Sequence, residues 1–229
     1  MKTSPASLRL YAAFILLTVV TALIGSTLTA PAIRLFGVDG VLLVALGGLG
    51  IWLAPRTGFA DLLDARVSGW QRFGRPLLIG LGFGLADLLM YKLVMHPQPV
   101  TSLTPFMQPF PYSILLYGSG ALYTDCLYRL IPIPLLMWLI GRFLLHDQKN
   151  ERLFWVLAGL TSLVEPLEQL ITDSPGLIIY SFGTGYAMNL LQAIFFRRYG
   201  FLAGLSIRLG HYALWHVGFG LAVELRLGV

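Results

Sequence analysis

Long runs of apolar residues, separated by short polar stretches, repeat along the chain. A membrane-spanning helix needs about 20 mostly apolar residues. The runs that approach or exceed this length are Leu8–Ala30, Val38–Ala54, Pro76–Met95, Tyr112–Leu145, Leu153–Ile171, Gly176–Phe196 and Leu202–Val223. The pattern predicts an all-α fold, a polytopic membrane helix bundle.

The fourth run, Tyr112–Leu145, is too long for one straight crossing. As a single helix it would reach roughly 50 Å at about 1.5 Å per residue, whereas a hydrocarbon core is about 30 Å thick. Pro132 and Pro134 lie inside it, and each kinks or breaks a helix because it lacks a backbone donor. The run therefore predicts either two crossings, or one crossing with a short, tilted or re-entrant piece.

The placement of basic residues favours one crossing of this run. With one crossing and a cytoplasmic N-terminus, only Arg34, Lys92 and Arg226 lie outside. The residues inside are Lys2, Arg9, Arg56, Arg66, Arg72, Arg75, Arg142, Lys149, Arg152, Arg197 and Arg198. Cytoplasmic loops carry an excess of Lys and Arg, so we expect seven crossings in about eight helical segments.

Composition agrees with a membrane location. Of the 229 residues, 56% are hydrophobic and 12% are charged, against about 25% charged residues in soluble domains. These values exclude a soluble enzyme, a nucleic-acid-binding module and a disordered regulator. The net charge of +5 reflects cytoplasmic loops, and the single cysteine, Cys126, is expected to be a small packing residue. We expect a protein integral to a cell membrane, such as a bacterial inner membrane.

The chain has the organisation of a single transmembrane domain, residues 1–229. Its first part, 1–71, holds two spans and most of Leu62–Arg75, a mixed apolar and basic stretch that suits a cytoplasmic interfacial helix. In the third span, Gly80 and Gly84 have the spacing of small residues that lets helices approach closely. We expect these glycines to pack against another helix of the same chain.

Ionisable residues inside the predicted spans form a candidate polar network. Each costs roughly 2.5–3.5 kcal/mol at the centre of a membrane helix, so such residues are functional candidates. The network comprises Asp87, Asp125, Arg129, Glu165, Glu168, Arg208 and His211. Counted from the cytoplasmic ends, Asp87, Glu165 and His211 lie roughly 14–18 Å deep on three helices. We expect these three residues to lie near one level of the bundle.

Spacing along the helices adds two expectations. Asp125 and Arg129 are four residues apart, so they can pair directly on one helix face. His216 follows His211 by five residues, which is about 140° around an α-helix. The two histidines are therefore expected to point in different directions.

Acids outnumber the clear bases within the spans, so some acids must be protonated or balanced by a cation. Three interpretations stay open. The residues form an ion-pair network that only fixes helix packing, or they line a proton or substrate pathway. Alternatively, Asp125, Glu165 and His211 bind zinc or another divalent metal, since carboxylates and imidazole are suitable ligands.

Three short motifs within residues 72–220 resemble those of a known family. Asp125 and Arg129 match the second acid and the arginine of a Glu-Glu-xxx-Arg motif, and His211 matches the start of a His-xxx-Asn or His-xxx-Asp motif. Before His211, a helix ending in basic residues, a glycine turn and a helix start rich in small residues follow the same layout. The region is similar to the CPBP family, the intramembrane metalloproteases that process CAAX proteins and bacteriocins. The resemblance implies a CPBP-like helix bundle.

The motifs are altered at the positions that carry the family's chemistry. Thr124 stands where the family has its water-activating Glu, and Pro166 stands at the metal-binding His of a Phe-xxx-His motif. Trp215 replaces the Asn or Asp of the third motif. Threonine is no base near neutral pH, proline cannot ligate, and tryptophan offers only an N–H donor. The resemblance therefore supports the fold and argues against the family's activity.

We expect a non-catalytic binding or assembly subunit without a cofactor, which docks another membrane protein, a hydrophobic peptide or a lipidic ligand. The alternative is an active metal-dependent intramembrane endopeptidase or hydrolase, in which Asp125, Glu165 and His211 hold zinc or another divalent ion and Glu168 is the general base. A small transporter is the third possibility. Membrane lipids are expected partners in each case, and nucleic acid in none.

Overall fold

The fold is all-helical across the part of the chain that a computed structural model describes, residues 3–28, 33 and 35–227. No strand occurs in these residues. The α-helices are α1 (Pro5–Thr27), α2 (Val38–Leu53), α3 (Arg75–Met90), α4 (Tyr112–Asp125), α5 (Pro132–Phe143), α6 (Glu151–Glu168), α7 (Pro175–Tyr199), α8 (Phe201–Tyr212) and α9 (Phe219–Glu224). Between or before them lie the 3₁₀ turn Ala54–Thr57 and the π-helical turns Trp70–Gly74, Tyr91–Met95, Cys126–Leu130 and Ala213–Gly218.

Four helical runs among the described residues are long and apolar enough to cross a membrane. They are Pro5–Thr27, Val38–Thr57, Trp70–Met95 and Tyr112–Phe143. They coincide with the first four predicted spans, which confirms an all-helical chain with the character of a membrane protein. The predicted end of the first span, Ala30, lies outside the described residues, as do Lys2 and Arg34 of the charge count.

The long run Tyr112–Phe143 continues through its prolines. The π-helical turn Cys126–Leu130 follows α4, and α5 begins just after it with Pro132 as its first residue. Proline is tolerated at the first position of a helix, because the N–H that it lacks would have no intrahelical partner there. The run is therefore one element with an irregular middle.

The ends of the helical runs lie at two faces of the bundle. At one face the Ala60 amide donates to the Arg197 carbonyl at 3.0 Å, and at the other the Phe110 amide donates to Glu224 at 3.0 Å. We call the first face the basic end and the second, which includes loop 96–111, the proline end. The basic end carries Arg9, Arg56, Arg66, Arg72, Arg75, Arg142, Lys149, Arg152, Arg197 and Arg198.

The predicted interfacial helix Leu62–Arg75 is wrong for its first half. Residues 62–68 form turns, and helix begins only after them, in the π-helical turn that leads into α3. The Asp64 carboxylate accepts both the backbone amide and the guanidinium of Arg66 at 3.0 Å. Aspartate side chains that bond the nearby backbone compete with helix formation. The bonds from Arg66 also lower the pKa of Asp64 from 3.8 to about 2.

The helix α8 lies inside the bundle, because its residues 201–208 are all buried. A Cβ atom at Gly80 of α3 would lie 1.9 Å from the Ile207 carbonyl oxygen, and one at Gly84 would lie 2.9 Å from that of His211. The prediction that these glycines pack α3 against a helix of the same chain is confirmed. Their close approach brings the next part of α3 against the end of α8.

Cys126 is buried at the contact between α1, α2 and the turn after α4. Its sulfur lies 3.3 Å from the Tyr11 hydroxyl, which also donates to the Val44 carbonyl at 2.7 Å. The prediction that Cys126 is a small packing residue is confirmed.

Candidate functional site

Two arginines and two carboxylates meet in the middle of the bundle. We call Asp125, Arg129, Glu165 and Arg208 the arginine cluster. Asp125 ends α4, Arg129 lies in the next turn, and Glu165 and Arg208 come from α6 and α8. No member is more than 5% exposed. The cluster therefore joins separate helices through buried charge.

Arg208 bonds to both acids of the cluster. Its two terminal nitrogens donate to the two oxygens of Glu165 at 2.7 and 2.6 Å, a bidentate geometry. Its Nε donates to Asp125 at 2.9 Å. One guanidinium thus ties α8 to both α4 and α6.

Arg129 completes the charge balance. Its Nη1 donates to Asp125 at 2.6 Å, which confirms the predicted pairing of these two residues, and its Nη2 lies 3.6 Å from Glu165. Its Nε donates to the backbone carbonyl of Asn189 at 3.3 Å, and its Nη2 bonds to the side-chain oxygen of the same residue. Two positive and two negative groups are therefore paired within one buried cluster.

Two amides of α7, Asn189 and Gln192, supply further hydrogen bonds to the cluster. Gln192 donates to Asp125 at 3.4 Å and accepts from Arg208 at 3.3 Å. Asn189 accepts from Arg208 at 3.3 Å. Buried charges are tolerated when they are paired and hydrogen-bonded. These two amides of α7 add hydrogen bonds to the ion pairs of the cluster.

Asn189 also compensates for the proline inside α6. Pro166 has no N–H, so the carbonyl four residues earlier, that of Ser162, loses its helical partner. The Asn189 side-chain amide donates to that carbonyl at 3.4 Å. Polar side chains of neighbouring helices commonly satisfy backbone groups freed by proline in membrane helices, and here one residue serves both α6 and the arginine cluster.

A cavity of about 240 Å³ lies beside the arginine cluster, toward the proline end. We call it the central cavity. Glu165 and Arg208 form part of its lining, so the cluster closes one side of it. Its apolar lining includes Phe83, Met90, Met95, Pro166, Met188 and Trp215. Flexible methionine side chains adapt to irregular apolar shapes, so this lining suits a hydrophobic ligand.

A polar pair, Asp87 and His211, lies in the lining of the central cavity besides Glu165 and Arg208. The His211 Nε2 atom lies 2.6 Å from Asp87, and the Tyr180 hydroxyl donates to the other Asp87 oxygen at 2.8 Å. The Asp87 side chain keeps 26% of its surface exposed, and His211 Nδ1 has no hydrogen-bond partner among the described residues. Asp87 and His211 touch and Glu165 lines the same cavity, so the structure brings these three residues together at one site.

The expectation that His216 points away from His211 is wrong. Both rings line the central cavity, with their centroids 6.0 Å apart. His216 lies in the π-helical turn Ala213–Gly218. A π-helix closes its hydrogen bonds to the fifth residue, so residues five apart lie on the same side. The 140° estimate assumed regular α-helix.

Aromatic rings close the cavity toward the proline end. Trp215 stacks on Phe106 of loop 96–111 at 5.3 Å between centroids and meets Tyr91 edge-on at 5.4 Å. His216 stacks on Tyr117 at 4.3 Å. The proline-rich loop is therefore packed onto the aromatic wall of the cavity.

The structure does not gather the three candidate metal ligands around one point. The carboxylates of Asp125 and Glu165 face Arg129 and Arg208, whereas His211 bonds to Asp87. Among the described residues, no group of three or more His, Cys, Asp or Glu side chains is placed to hold a metal ion. A cation at Asp125 and Glu165 would have to displace two guanidinium groups.

Glu168, the candidate general base, lies away from the other network residues. It is exposed and accepts a hydrogen bond from the Tyr128 hydroxyl at 2.5 Å. It belongs neither to the arginine cluster nor to the lining of the central cavity. The apparent excess of intramembrane acids follows from Asp87 and Glu168, which both keep exposed surface and need no full ion pair.

Sequence reasoning missed Asn189, Gln192 and Tyr180 as members of the site. The two amides are three residues apart on a helix, so they share a face, and this spacing in an apolar span was the available signal. Tyr180 gave no signal, because tyrosine is common in membrane helices near the interface. Only the packing of α7 against α3 reveals its role.

Comparison of the chain with protein-family models, with curated proteins and with solved structures found no match.

Proposed function

We propose that this chain is a multi-pass membrane protein of CPBP-like fold that binds a hydrophobic ligand in the central cavity and has no protease activity. The ligand is a lipidic molecule or an apolar peptide segment of another membrane protein. The protein acts as a binding or assembly subunit.

One observation carries this proposal. Pro166, His211 and Trp215 stand at key positions of the second and third CPBP motifs, and all three line the central cavity. Asp125, from the first motif, lies in the arginine cluster beside it. Positions from all three motifs thus lie in or beside one cavity, as expected if it corresponds to the family's active-site cavity.

The same geometry favours binding over hydrolysis. A metalloprotease needs free ligand atoms and a general base beside the metal-bound water. Here Asp125 and Glu165 are neutralised by arginines, and Glu168 lies elsewhere on the surface. Two guanidinium groups beside the acids also repel a divalent cation.

The ligand's chemistry follows from the lining of the central cavity. Methionine and aromatic side chains provide an adaptable apolar surface, while Asp87 and His211 offer one polar end. An apolar chain that ends in a hydrogen-bond donor, such as an amine or amide, satisfies both parts. Such a donor would bond to the partly exposed Asp87 carboxylate.

In this proposal the chain crosses a bacterial inner membrane seven times, with a cytoplasmic N-terminus. The basic end then faces the cytoplasm, in agreement with the excess of Lys and Arg in cytoplasmic loops. Accessibility labelling of single cysteines placed at Arg198 and at Gln98, in a Cys126→Ser background, tests this orientation. Gln98 lies in the loop at the proline end, so labelling of Arg198→Cys from outside would contradict it.

A steric substitution tests ligand binding. Thr184 lines the central cavity, whereas a Cβ atom added at its neighbour Gly183 would have nothing within 4 Å. Native mass spectrometry of protein released from membranes should detect a bound molecule in the wild type and in Gly183→Trp, and should lose it in Thr184→Trp. Equal retention in both variants would contradict binding in the cavity.

Metal analysis separates binding from the enzyme alternative. Stoichiometric zinc in purified protein, lost in His211→Ala and in Asp125→Ala, would contradict the proposal and favour the metal-dependent hydrolase. The Gly183→Trp protein serves as the control, because it should keep the metal content of the wild type.

The Asp87–His211 pair favours a second candidate, proton-coupled transport of the ligand. Ionisable residues that face a cavity within a membrane protein are typical of proton pathways, and the Asp87 side chain is 26% exposed. Transport predicts pH-driven uptake into liposomes that is lost in Asp87→Asn. A flat uptake trace for the wild type would contradict this candidate and leave the binding proposal intact.

A further inference from the structure

A second cavity, of about 520 Å³, lies at the basic end, far from the central cavity along the bundle axis. It is formed by the turn segment before α3, the loop before α6 and the end of α7. Four basic residues line it: Arg66, Lys149, Arg197 and Arg198. Its position at a helix end places it where the head groups of a bilayer would lie.

Arg197 forms a fixed wall of this cavity. Its side chain is 11% exposed and donates to Glu151 at 2.7 Å and to the Lys149 carbonyl at 3.2 Å. Its guanidinium also lies over the Phe154 ring, 4.4 Å from the centroid. An arginine held by so many contacts is preorganised, so little conformational freedom is lost when an anion binds beside it.

A smaller cavity of about 320 Å³ continues from the first. It shares Gly58, Arg197 and Arg198 with it and runs between α6 and α7 along Trp155 and Ile194. Trp155 is 43% exposed on the outer surface of the bundle. The basic cavity thus continues into a crevice whose lining includes the apolar side chains of Phe154, Trp155 and Ile194 beside charged groups. We call the two together the basic groove.

The charges that line the basic groove do not cancel. Arg66 pairs with Asp64 at 2.6 Å and Arg197 pairs with Glu151 at 2.7 Å. The described residues that line the groove include four basic and two acidic side chains, so its net charge is +2. The surplus belongs to Lys149 and Arg198, whose side chains are exposed.

We propose that the basic groove binds an anionic phospholipid. Its phosphate lies between Lys149 and Arg198, against the fixed Arg197, and an acyl chain follows the crevice past Trp155. Basic pockets between membrane helices are suited to anionic head groups, and guanidinium groups match phosphate geometry. The adjoining crevice favours a lipid over a free phosphate ion, which has no apolar part. This site is independent of the ligand of the central cavity.

Lipid titration into the full-length protein in a nonionic detergent tests the site. Short-chain phosphatidylglycerol should bind more tightly than short-chain phosphatidylcholine, as followed by native mass spectrometry. The double variant Lys149→Gln/Arg198→Gln should weaken phosphatidylglycerol binding about 25-fold, because each basic group near a head group contributes about 1 kcal/mol. Its melting temperature should match that of the wild type, because both side chains are exposed.

A matched control removes two charges from the same end but outside the groove. Arg142 and Arg152 are exposed and line neither cavity, so Arg142→Gln/Arg152→Gln should leave phosphatidylglycerol affinity unchanged. Equal weakening in both double variants would show only a diffuse surface charge and would overturn the proposal.

The crevice has its own test. Trp155→Ala should weaken phosphatidylglycerol binding several-fold, while any weak binding of inorganic phosphate stays the same. If inorganic phosphate binds the wild type as tightly as the lipid does, or if Trp155→Ala changes nothing, the site is not a lipid site.

Discussion

The arginine cluster and the Asp87–His211 pair lie side by side in the bundle, yet they differ in exposure and in the number of charged partners that each group meets. In the cluster, no residue is more than 5% exposed and each acid meets two arginines. In the pair, the Asp87 side chain is 26% exposed and each charged group meets only one partner of opposite charge. One buried atom in each region has no hydrogen-bond partner among the described residues: Nδ1 of His211 in the pair and Oδ2 of Asp125 in the cluster. One region is closed, and the other keeps bonding capacity toward a cavity.

The difference follows from donor count. Arginine has five N–H donors in a rigid fork, so Arg208 can satisfy two acids and amides of α7 at once. Histidine has two ring nitrogens, and His211 uses one on Asp87. Buried charge is therefore paired several times where arginine is present, and it keeps more bonding capacity toward the cavity where histidine takes its place.

The largest expected loss of stability comes from removing an arginine from the arginine cluster. Arg208→Met leaves Asp125 and Glu165 with only Arg129 between them, so unfolding should become easier by about 3–5 kcal/mol. Thermal unfolding in detergent measures the loss. The double variant Arg208→Met/Glu165→Leu should be less destabilised, because it keeps one matched pair, Asp125 and Arg129. A double variant as unstable as the single one would show that unpaired acid is not the cause.

Separating α3 from α8 should damage the open region and spare the closed one. A Cβ at Gly80 would lie 1.9 Å from the Ile207 carbonyl oxygen, so Gly80→Ala should cost about 1–3 kcal/mol and weaken ligand retention by moving Asp87 away from His211. The arginine cluster contains no residue of α3. Gly82→Ala, on the same helix with nothing within 4 Å, is the control and should behave like the wild type in melting temperature and ligand retention.

The same chemical change in both regions gives a direct comparison. Asp125→Asn removes a buried charge that faces two arginines and should cost about 3 kcal/mol or more. Asp87→Asn keeps an acceptor for Tyr180 and should cost about 1 kcal/mol, while ligand retention falls. Chemical denaturation measures the loss of unfolding free energy in each variant. Equal losses would contradict the proposed difference between the two regions.

The smallest effect is expected for the ion pair of Asp64 and Arg66 at the basic end, in which the acid is buried and the arginine is exposed. Arg66 lowers the pKa of Asp64 from 3.8 to about 2. A lowered carboxylate pKa contributes stability above the ordinary value, and this contribution is lost as pH falls through the lowered one. Because the Arg66 side chain is 71% exposed, solvent screens the pair and its contribution to stability should be small.

The pH dependence of this pair is measured by difference. The melting temperature of the wild type should exceed that of Asp64→Asn at about pH 5, and the gap should narrow toward about pH 2. A gap that stays constant over this range would show that the ionised carboxylate makes no difference.

The sequence predicted the helices well, because apolar run length is a local property that the bilayer selects. The run Val38–Ala54 starts at the first residue of α2 and ends one residue after it. The run Leu202–Val223 is one residue shorter at each end than the stretch formed by α8, the turn Ala213–Gly218 and α9. The prediction of a helix failed at Leu62–Ser68, which forms turns because the Asp64 side chain bonds to the nearby backbone. The stretch mixes apolar and charged residues as an interfacial helix does, and this pattern alone does not reveal that a side chain bonds to the nearby backbone.

For the site, the sequence identified the buried charged residues but not their partners. Charge in an apolar span is visible in one dimension, so Asp125, Glu165 and Arg208 could be named at once. Which acid meets which arginine depends on the rotation of each helix about its axis. The π-helical turn at Ala213–Gly218 changed that rotation and brought His216 beside His211.

By itself, the sequence determined an all-helical chain with the character of a membrane protein and the positions at which that chain bears charge. Only the tertiary structure decided that Arg208 closes one cluster while His211 opens onto a cavity. The reason is physical: hydropathy adds up along the chain, whereas hydrogen bonds between helices depend on side chains meeting in space.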